Sequence, residues 1–161
     1  MTYTKIKSIV ALVLVTIVLL TASGCGDAKK VNTTDLSEEI LTLTTFSELK
    51  ELSGASLPSY FRFSDGSVKR FNVRISATGE SADTLACFEV KDKEQRTTAI
   101  KGISQYLSDL STFFKPTMES EYQKVENRLL VELDDVIVLV ICNDIETVWN
   151  YLASLGAKEV I

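Results

Sequence analysis

Two rhythms of hydrophobic and polar positions alternate along this chain, a spacing of three and four that marks helices and a spacing of two that marks strands. Asp35, with Glu38 three residues on, predicts a helix start, and Leu36, Ile40, Leu43 and Phe46 form its apolar stripe before Leu49 and Leu52 drift round the axis. Gly54 and Leu57-Pro58 end that run. Residues 70–77 alternate polar and apolar without a fault, which predicts a strand with one buried and one wet face. Residues 78–83, with Gly79, make the turn, and residues 84–90 return as a second strand whose Leu85, Ala86, Cys87, Phe88 and Val90 ask for cover on both sides.

Asp92 and Gln95 open the longest helix, and Ile100, Ile103, Leu107, Leu110 and Phe114 lay one stripe along it until Pro116 stops it. A shorter, more polar helix follows over residues 117–127, with Met118, Tyr122 and Val125 facing inward. Residues 129–133 and 136–142 are two strands around an Asp134-Asp135 turn, the second apolar on both faces and therefore central. Asn143 and Glu146 open a last helix, whose inner face carries Ile145, Val148, Trp149, Leu152 and Leu155 and which Gly156 closes. The order α-ββ-αα-ββ-α predicts an α+β fold, a single two-layer sandwich in which helices cover mainly one side of a four-stranded antiparallel sheet.

The first residues belong to a different class. Lys5 and Lys7 precede an apolar run over residues 9–20, then come the small residues Thr21, Ala22, Ser23 and Gly24, and then Cys25. The run is short of the roughly 20 residues that cross a bilayer, and a basic start with a small-residue site is a secretory layout. A cysteine directly after such a site resembles the lipobox of bacterial lipoproteins. The resemblance implies that residues 1–24 are removed as a signal peptide, that the Cys25 sulfur carries a diacylglyceryl group through a thioether, and that the protein is held at the extracytoplasmic face of the cell membrane. Residues 25–34 then read as a lipidated tether and residues 35–161 as one domain. Lys29 and Lys30 stand where they would meet anionic headgroups.

Charge and composition narrow the chemistry. The 161 residues hold 17 Lys and Arg against 22 Asp and Glu, and loss of residues 1–24 takes away Lys5 and Lys7 but no acid, leaving a balance of −7. Nucleic acid is not an expected partner of so acidic a chain. There is no histidine, which removes the usual general acid-base group, the commonest zinc ligand and every Ser-His or Cys-His nucleophile pair. No cofactor, metal or catalytic residue is therefore expected. Ser53-Gly54-Ala55-Ser56 lacks the setting of a nucleophile elbow, and the acid pairs Asp134-Asp135 and Glu119-Glu121 read as a turn and a wet helix face. Cys87 and Cys142 fall in strands of one sheet, where they are either buried thiols or, if neighbours on one face, a disulfide. Lys69, Arg70, Asn72 and Arg74 reverse the local charge, and the last three project from one strand face as a possible surface for an acidic partner, a peptide or a wall polymer. Tyr60, Phe61 and Phe63 form an aromatic loop ahead of that strand, either a lid on the core or an exposed patch.

Residues 82–86 (Ala-Asp-Thr-Leu-Ala), the charged helix from Asp92, the corner Phe113-Phe114-Lys115-Pro116 and the apolar segment 136–142, together with the lipobox, resemble a family of small uncharacterised lipoproteins of Gram-positive, largely anaerobic bacteria that carry a domain of unknown function. The resemblance implies location and fold and brings no activity. The expected function is that of a membrane-anchored, non-enzymatic binding or scaffold module of the cell envelope, with a membrane contact through the lipid and an envelope protein or wall polymer as partner. The competing expectation is a small-ligand or solute-binding lipoprotein associated with a transporter. A carboxylate-only enzyme comes third.

Overall fold

The computed structural model describes residues 30–63 and 66–160; the leader and Cys25 lie outside the described residues. One compact unit runs from Val31 to the C-terminus. Its elements are α1 (Thr33–Leu43), β1 (Leu49–Glu51), α2 (Leu57–Phe61), β2 (Arg70–Ser76), β3 (Thr84–Glu89), α3 (Lys93–Phe114), α4 (Glu119–Glu126), β4 (Leu129–Leu133), β5 (Val136–Ile141), α5 (Ile145–Ser154) and β6 (Lys158–Glu159). The fold is α+β, with one open antiparallel sheet in the order β1-β2-β3-β5-β4-β6.

The sheet has six strands where the hydrophobic rhythm predicted four. Both extra strands are very short edges. Thr44 is already extended, with φ −143° and ψ 164°, so α1 stops at Leu43, and Leu49, expected on the helical stripe, begins β1 instead. Three β-branched hydroxyl residues in four positions, Thr42, Thr44 and Thr45 around Leu43, weaken the helix at that point. At the other end Gly156 takes φ 95° and turns the chain so that Lys158 and Glu159 pair with Glu132 and Val131.

Helices cover both faces of the sheet, which corrects the two-layer expectation to three layers. On one face the side chains of Val73, Ile75, Ala86, Phe88, Ile137, Leu139 and Ile141 meet α2, α3 and α4 through Phe61, Ala99, Ile103, Tyr106 and Val125. On the other, Leu85, Cys87, Val131, Val138 and Val140 meet Leu36 and Ile40 of α1 and Val148 and Leu152 of α5. β3 and β5 are buried at every position, as two covered faces require. They lie side by side in the middle, Cys87 opposite Val138, and each fully buried large side chain there contributes about 1.5–3 kcal/mol.

Helix starts follow the capping rule with small shifts. Asn32, three residues before Asp35, accepts from the Thr34 N–H at 2.8 Å, so α1 begins inside the stretch read as tether. Asp92 accepts from the Gln95 N–H at 2.8 Å, as its spacing predicted. Asp144, one residue beyond Asn143, caps α5 through Thr147. Only Ile103 and Phe114 of the five residues expected to line the buried side of α3 are fully covered; Ala99, Gly102 and Tyr106 share that side with them.

Candidate functional site

Gly102 sets the geometry of the first face. A Cβ at this position would stand 2.3 Å from the Phe61 carbonyl oxygen and 2.4 Å from the Phe63 ring, so only a residue without one lets α2 and the following turn sit directly on α3. Phe61 and Phe63 are consequently core residues, with Phe61 in the short helix α2 rather than in a loop, and they pack edge-on to Phe88 at centroid distances of 5.1 and 5.2 Å. Phe61 also lies 4.6 Å from the Tyr106 ring. Of the aromatic trio, Phe61 and Phe63 are the lid on the core, while Tyr60 is half-buried and turns outward.

Beside this cluster a cleft of about 370 Å³ opens between the end of β2 and the C-terminal half of α3. Buried Ile75, Tyr106 and Phe114 line it, Tyr60 and Leu110 are half-buried there, and Phe113 and Lys50 are exposed at its lip. Phe113 is 55% exposed and held edge-on against buried Phe114 at 5.0 Å. β1 brings Lys50 to this face because Lys50 pairs with Ile75, and its flanking residues Glu48 and Leu52 bond Ala77 and Val73 at 2.8 Å each. The Thr84 hydroxyl donates to the Ala82 carbonyl at 2.9 Å, so the Tyr106 hydroxyl donates to Thr84 Oγ1 at 2.8 Å. Burial foremost pushes the Tyr106 phenol up to about 12, so it stays neutral.

One rim of the cleft, at Ser81, is tied to a buried charge network. Lys124 Nζ lies 3.0 Å from Asp83 Oδ1 and 3.0 Å from Glu121 Oε2. Asp83 Oδ2 accepts from the Ser47 N–H at 2.7 Å, and Glu121 Oε2 accepts from the Ala82 N–H at 2.9 Å and the Ser81 hydroxyl at 3.1 Å. Burial lowers the Lys124 ammonium, but the hydrogen bonds and charges of Asp83 and Glu121 outweigh it and leave the group above its ordinary value. Asp83 is 3% exposed in its side chain, so these bonds fasten the β2–β3 turn to α4 and to the segment before β1.

The basic set divides. Lys69 and Arg70 are exposed and reach Glu89 at 2.7 and 3.7 Å. Asn72 and Arg74 lie beneath α1, which corrects the expected wet face of β2: Asn72 is buried, and Arg74 donates to Ser37 at 3.3 Å and Glu38 at 2.6 Å. The four residues do not form one open surface. Glu119 and Glu121 also part, since Glu119 binds Gln123 on the exposed side of α4 while Glu121 joins the network.

Cys87 and Cys142 are both free and buried. They lie on the same face, but Cys87 stands opposite Val138, four residues from Cys142, which is about 13 Å along a strand and far beyond disulfide reach. Burial raises both thiols, Cys87 to about 12. Among the described residues no group of three His, Cys, Asp or Glu side chains is placed to hold a metal ion, and no helix is long and apolar enough to cross a membrane.

The family described as a domain of unknown function, DUF4358, matches residues 44–142. The chain belongs to the DUF4358 family. The matched segment runs from the turn before β1 to the residue after β5 and contains the cleft, the aromatic cluster and the Asp83–Glu121–Lys124 network, whereas α1 and α5 lie outside it. No curated protein and no solved structure matches the chain.

Sequence reasoning missed Lys50, Tyr106, Asp83 and Lys124 as site residues. Tyr106 was within reach of the pattern, because Ala99, Gly102, Ile103 and Tyr106 repeat at three, one and three and define the inner side of α3. Lys124 follows Glu121 at i+3, but nothing local points to Asp83, which is 41 residues away.

Proposed function

We propose that this chain is a lipid-anchored, extracytoplasmic binding module of the DUF4358 family that works without catalysis, with Cys25 as the acylated residue. The observation that carries the reading is the order of the first 25 residues: two lysines, a short apolar run, four small residues and a cysteine. Two acyl chains on one residue anchor a protein stably where one chain does not. An acidic chain with no histidine supports binding over chemistry, and a cleft lined by aromatic side chains on the family-matched body supplies a place to bind. The same cleft favours a second reading, a small-ligand lipoprotein associated with a transporter; an envelope protein or wall polymer is the partner under the first.

Mass spectrometry of the N-terminus of the membrane-bound protein tests the anchor. The expected species begins at Cys25 and carries a diacylglyceryl mass, and Cys25→Ser moves the protein to the soluble fraction or leaves the leader uncut. An unmodified Cys25, or a Cys25→Ser variant equally membrane-bound and equally trimmed, overturns it.

A further inference from the structure

The cleft beside α3 pairs two features: aromatic and aliphatic walls, and a cation at the lip with no ion-pair partner among the described residues. Lys50 has no ion-pair or side-chain hydrogen-bond partner among the described residues. Its neighbour Glu51 projects to the opposite face of the sheet, 3.6 Å from Arg74. The other charged residue of the cleft, Asp109, is already engaged by Arg62 at 3.2 Å and by Gln105 at 2.9 Å. Tyr106 is neutral and its hydroxyl proton is committed to Thr84. The uncompensated charge of the cleft is therefore a single positive one, at its mouth, above an apolar interior.

Resting on the small-ligand reading above, we propose that the cleft takes a small carboxylate with an apolar body about the size of one ring. The body lies on Ile75 and Tyr106 between Tyr60, Leu110 and Phe113, and the carboxylate meets Lys50. A volume of about 370 Å³ is at the small end of ligand sites, which excludes large solutes and suits one ring with a short arm. The aromatic walls favour a planar body through edge and face contacts. A lone ammonium, with no second cation and no guanidinium fork beside it, suits one carboxylate better than a polyanion. Phe113 has a physical reason to stand 55% exposed, since its ring covers the bound body.

Isothermal titration of the full chain in detergent-free lipid nanodiscs, with 3-phenylpropanoate and with its uncharged amide, tests the proposal against empty nanodiscs. The acid should bind about fivefold tighter than the amide, the scale of a partly exposed ion pair. Lys50→Gln should abolish that advantage and leave amide binding intact, and Phe113→Ala should weaken both; Lys50 and Phe113 are exposed, so neither change threatens folding. Equal affinity for acid and amide in the unaltered chain, a Lys50→Gln variant that keeps the acid's advantage, or no heat from either probe at millimolar concentration overturns the proposal. So does tighter binding of an acetylated Val-Phe-Val amide, which would point to strand addition at the free edge of β1 instead. Acylation of Cys25 is read separately by mass, so a failed titration with an acylated chain removes the ligand class, and an unacylated chain that binds removes the anchor.

Discussion

The two faces of the sheet are buried to the same degree by different means. The α3 face is aromatic: Phe61, Phe63, Phe88 and Tyr106 meet at centroid distances between 4.6 and 5.7 Å, and a glycine is needed to bring them together. The α1 and α5 face is aliphatic, with Leu36, Ile40, Val138, Val140, Val148 and Leu152 as its centre, and its helices are joined at the surface by the Tyr151 hydroxyl donating to Glu39. The cleft opens at the border of the aromatic cluster, beside Tyr106 and Phe114. The family match covers every residue of the first face and neither helix of the second, so the cleft falls within the matched segment. Under the binding reading proposed above, the aromatic side carries the cleft, and α1 and α5 cover β3 and β5 on the other.

Removing one ring breaks the comparison most directly. Phe88→Ala deletes the ring that Phe61 and Phe63 both meet edge-on, and a loss of about 3–5 kcal/mol is expected in urea unfolding. Ile40→Ala on the opposite face, also fully buried, is expected at about 2–4 kcal/mol. The two variants should differ in kind as well: Ile40→Ala should shift the fluorescence of Trp149, which packs on its face, while Phe88→Ala should leave it unchanged, and an equal shift in both would mean that the faces do not pack independently. Next in size is Lys124→Met. It leaves Asp83 and Glu121 as like charges without their shared cation, for an expected loss of about 3 kcal/mol by the same denaturation. A loss under about 1 kcal/mol would show the β2–β3 turn to be held by the bonds of Asp83 to Ser47 and of Glu121 to Ser81 and Ala82 without the shared cation.

The aromatic side was half-legible in the sequence. The unbroken polar and apolar alternation of residues 70–77 located β2, and the mixed residues 84–90 and 136–142 correctly asked for cover on two faces, because period and composition are local properties. The count of layers did not follow from them. The polar row Arg70, Asn72 and Arg74 looks wet in one dimension, yet α1 lies across its last two members, and the Arg74 guanidinium reaches Ser37 and Glu38 there. Edge strands of three and two residues are too short to show a period at all. The cleft was invisible for a similar reason, since Lys50, Ile75 and Tyr106 come from three elements that only the strand order brings together. Cys87 was correctly placed in a sheet strand, whereas Cys142, expected inside the last long strand, stands one residue past the end of β5, and the separation of the two depends on a register that no spacing rule supplies.

Alkaline titration separates the faces again, with a smaller effect. Burial pushes the Cys87 thiol from its ordinary 9.0 to about 12 on the aliphatic face and the Tyr106 phenol from 10.0 to about 12 on the aromatic one. In each case the folded state keeps a proton that the unfolded chain releases. The stability is thus complete below the ordinary value and is lost as pH rises toward 12, at up to about 1.4 kcal/mol per pH unit for each group. Cys87→Ala should lessen the decline that starts near pH 9, leaving the share of Cys142, and Tyr106→Phe the decline that starts near pH 10, leaving the share of Tyr151, both read as urea midpoints across that range. Identical pH profiles for the two variants would mean that the faces open to solvent together before either group ionises.

The smallest effect tests what holds α1 down. Arg74 makes its shortest ion pair with Glu38, at 2.6 Å, but the Glu38 carboxylate is 59% exposed, and Arg74 keeps Ser37 at 3.3 Å and Glu51 at 3.6 Å when Glu38 is neutralised. Water screens such a pair, so Glu38→Gln should cost under about 1 kcal/mol, and less still in 1 M salt, where the screening length falls to about 3 Å. Leu36 and Ile40, at 3% and 0% exposure, are expected to supply the rest of the docking energy through apolar contact. A loss above about 2 kcal/mol that vanishes in salt would reverse that assignment. The second face would then be joined to the sheet by charge over β2 rather than by its aliphatic core, and the contrast between the two sides would lie in electrostatics and not in the shapes of the side chains.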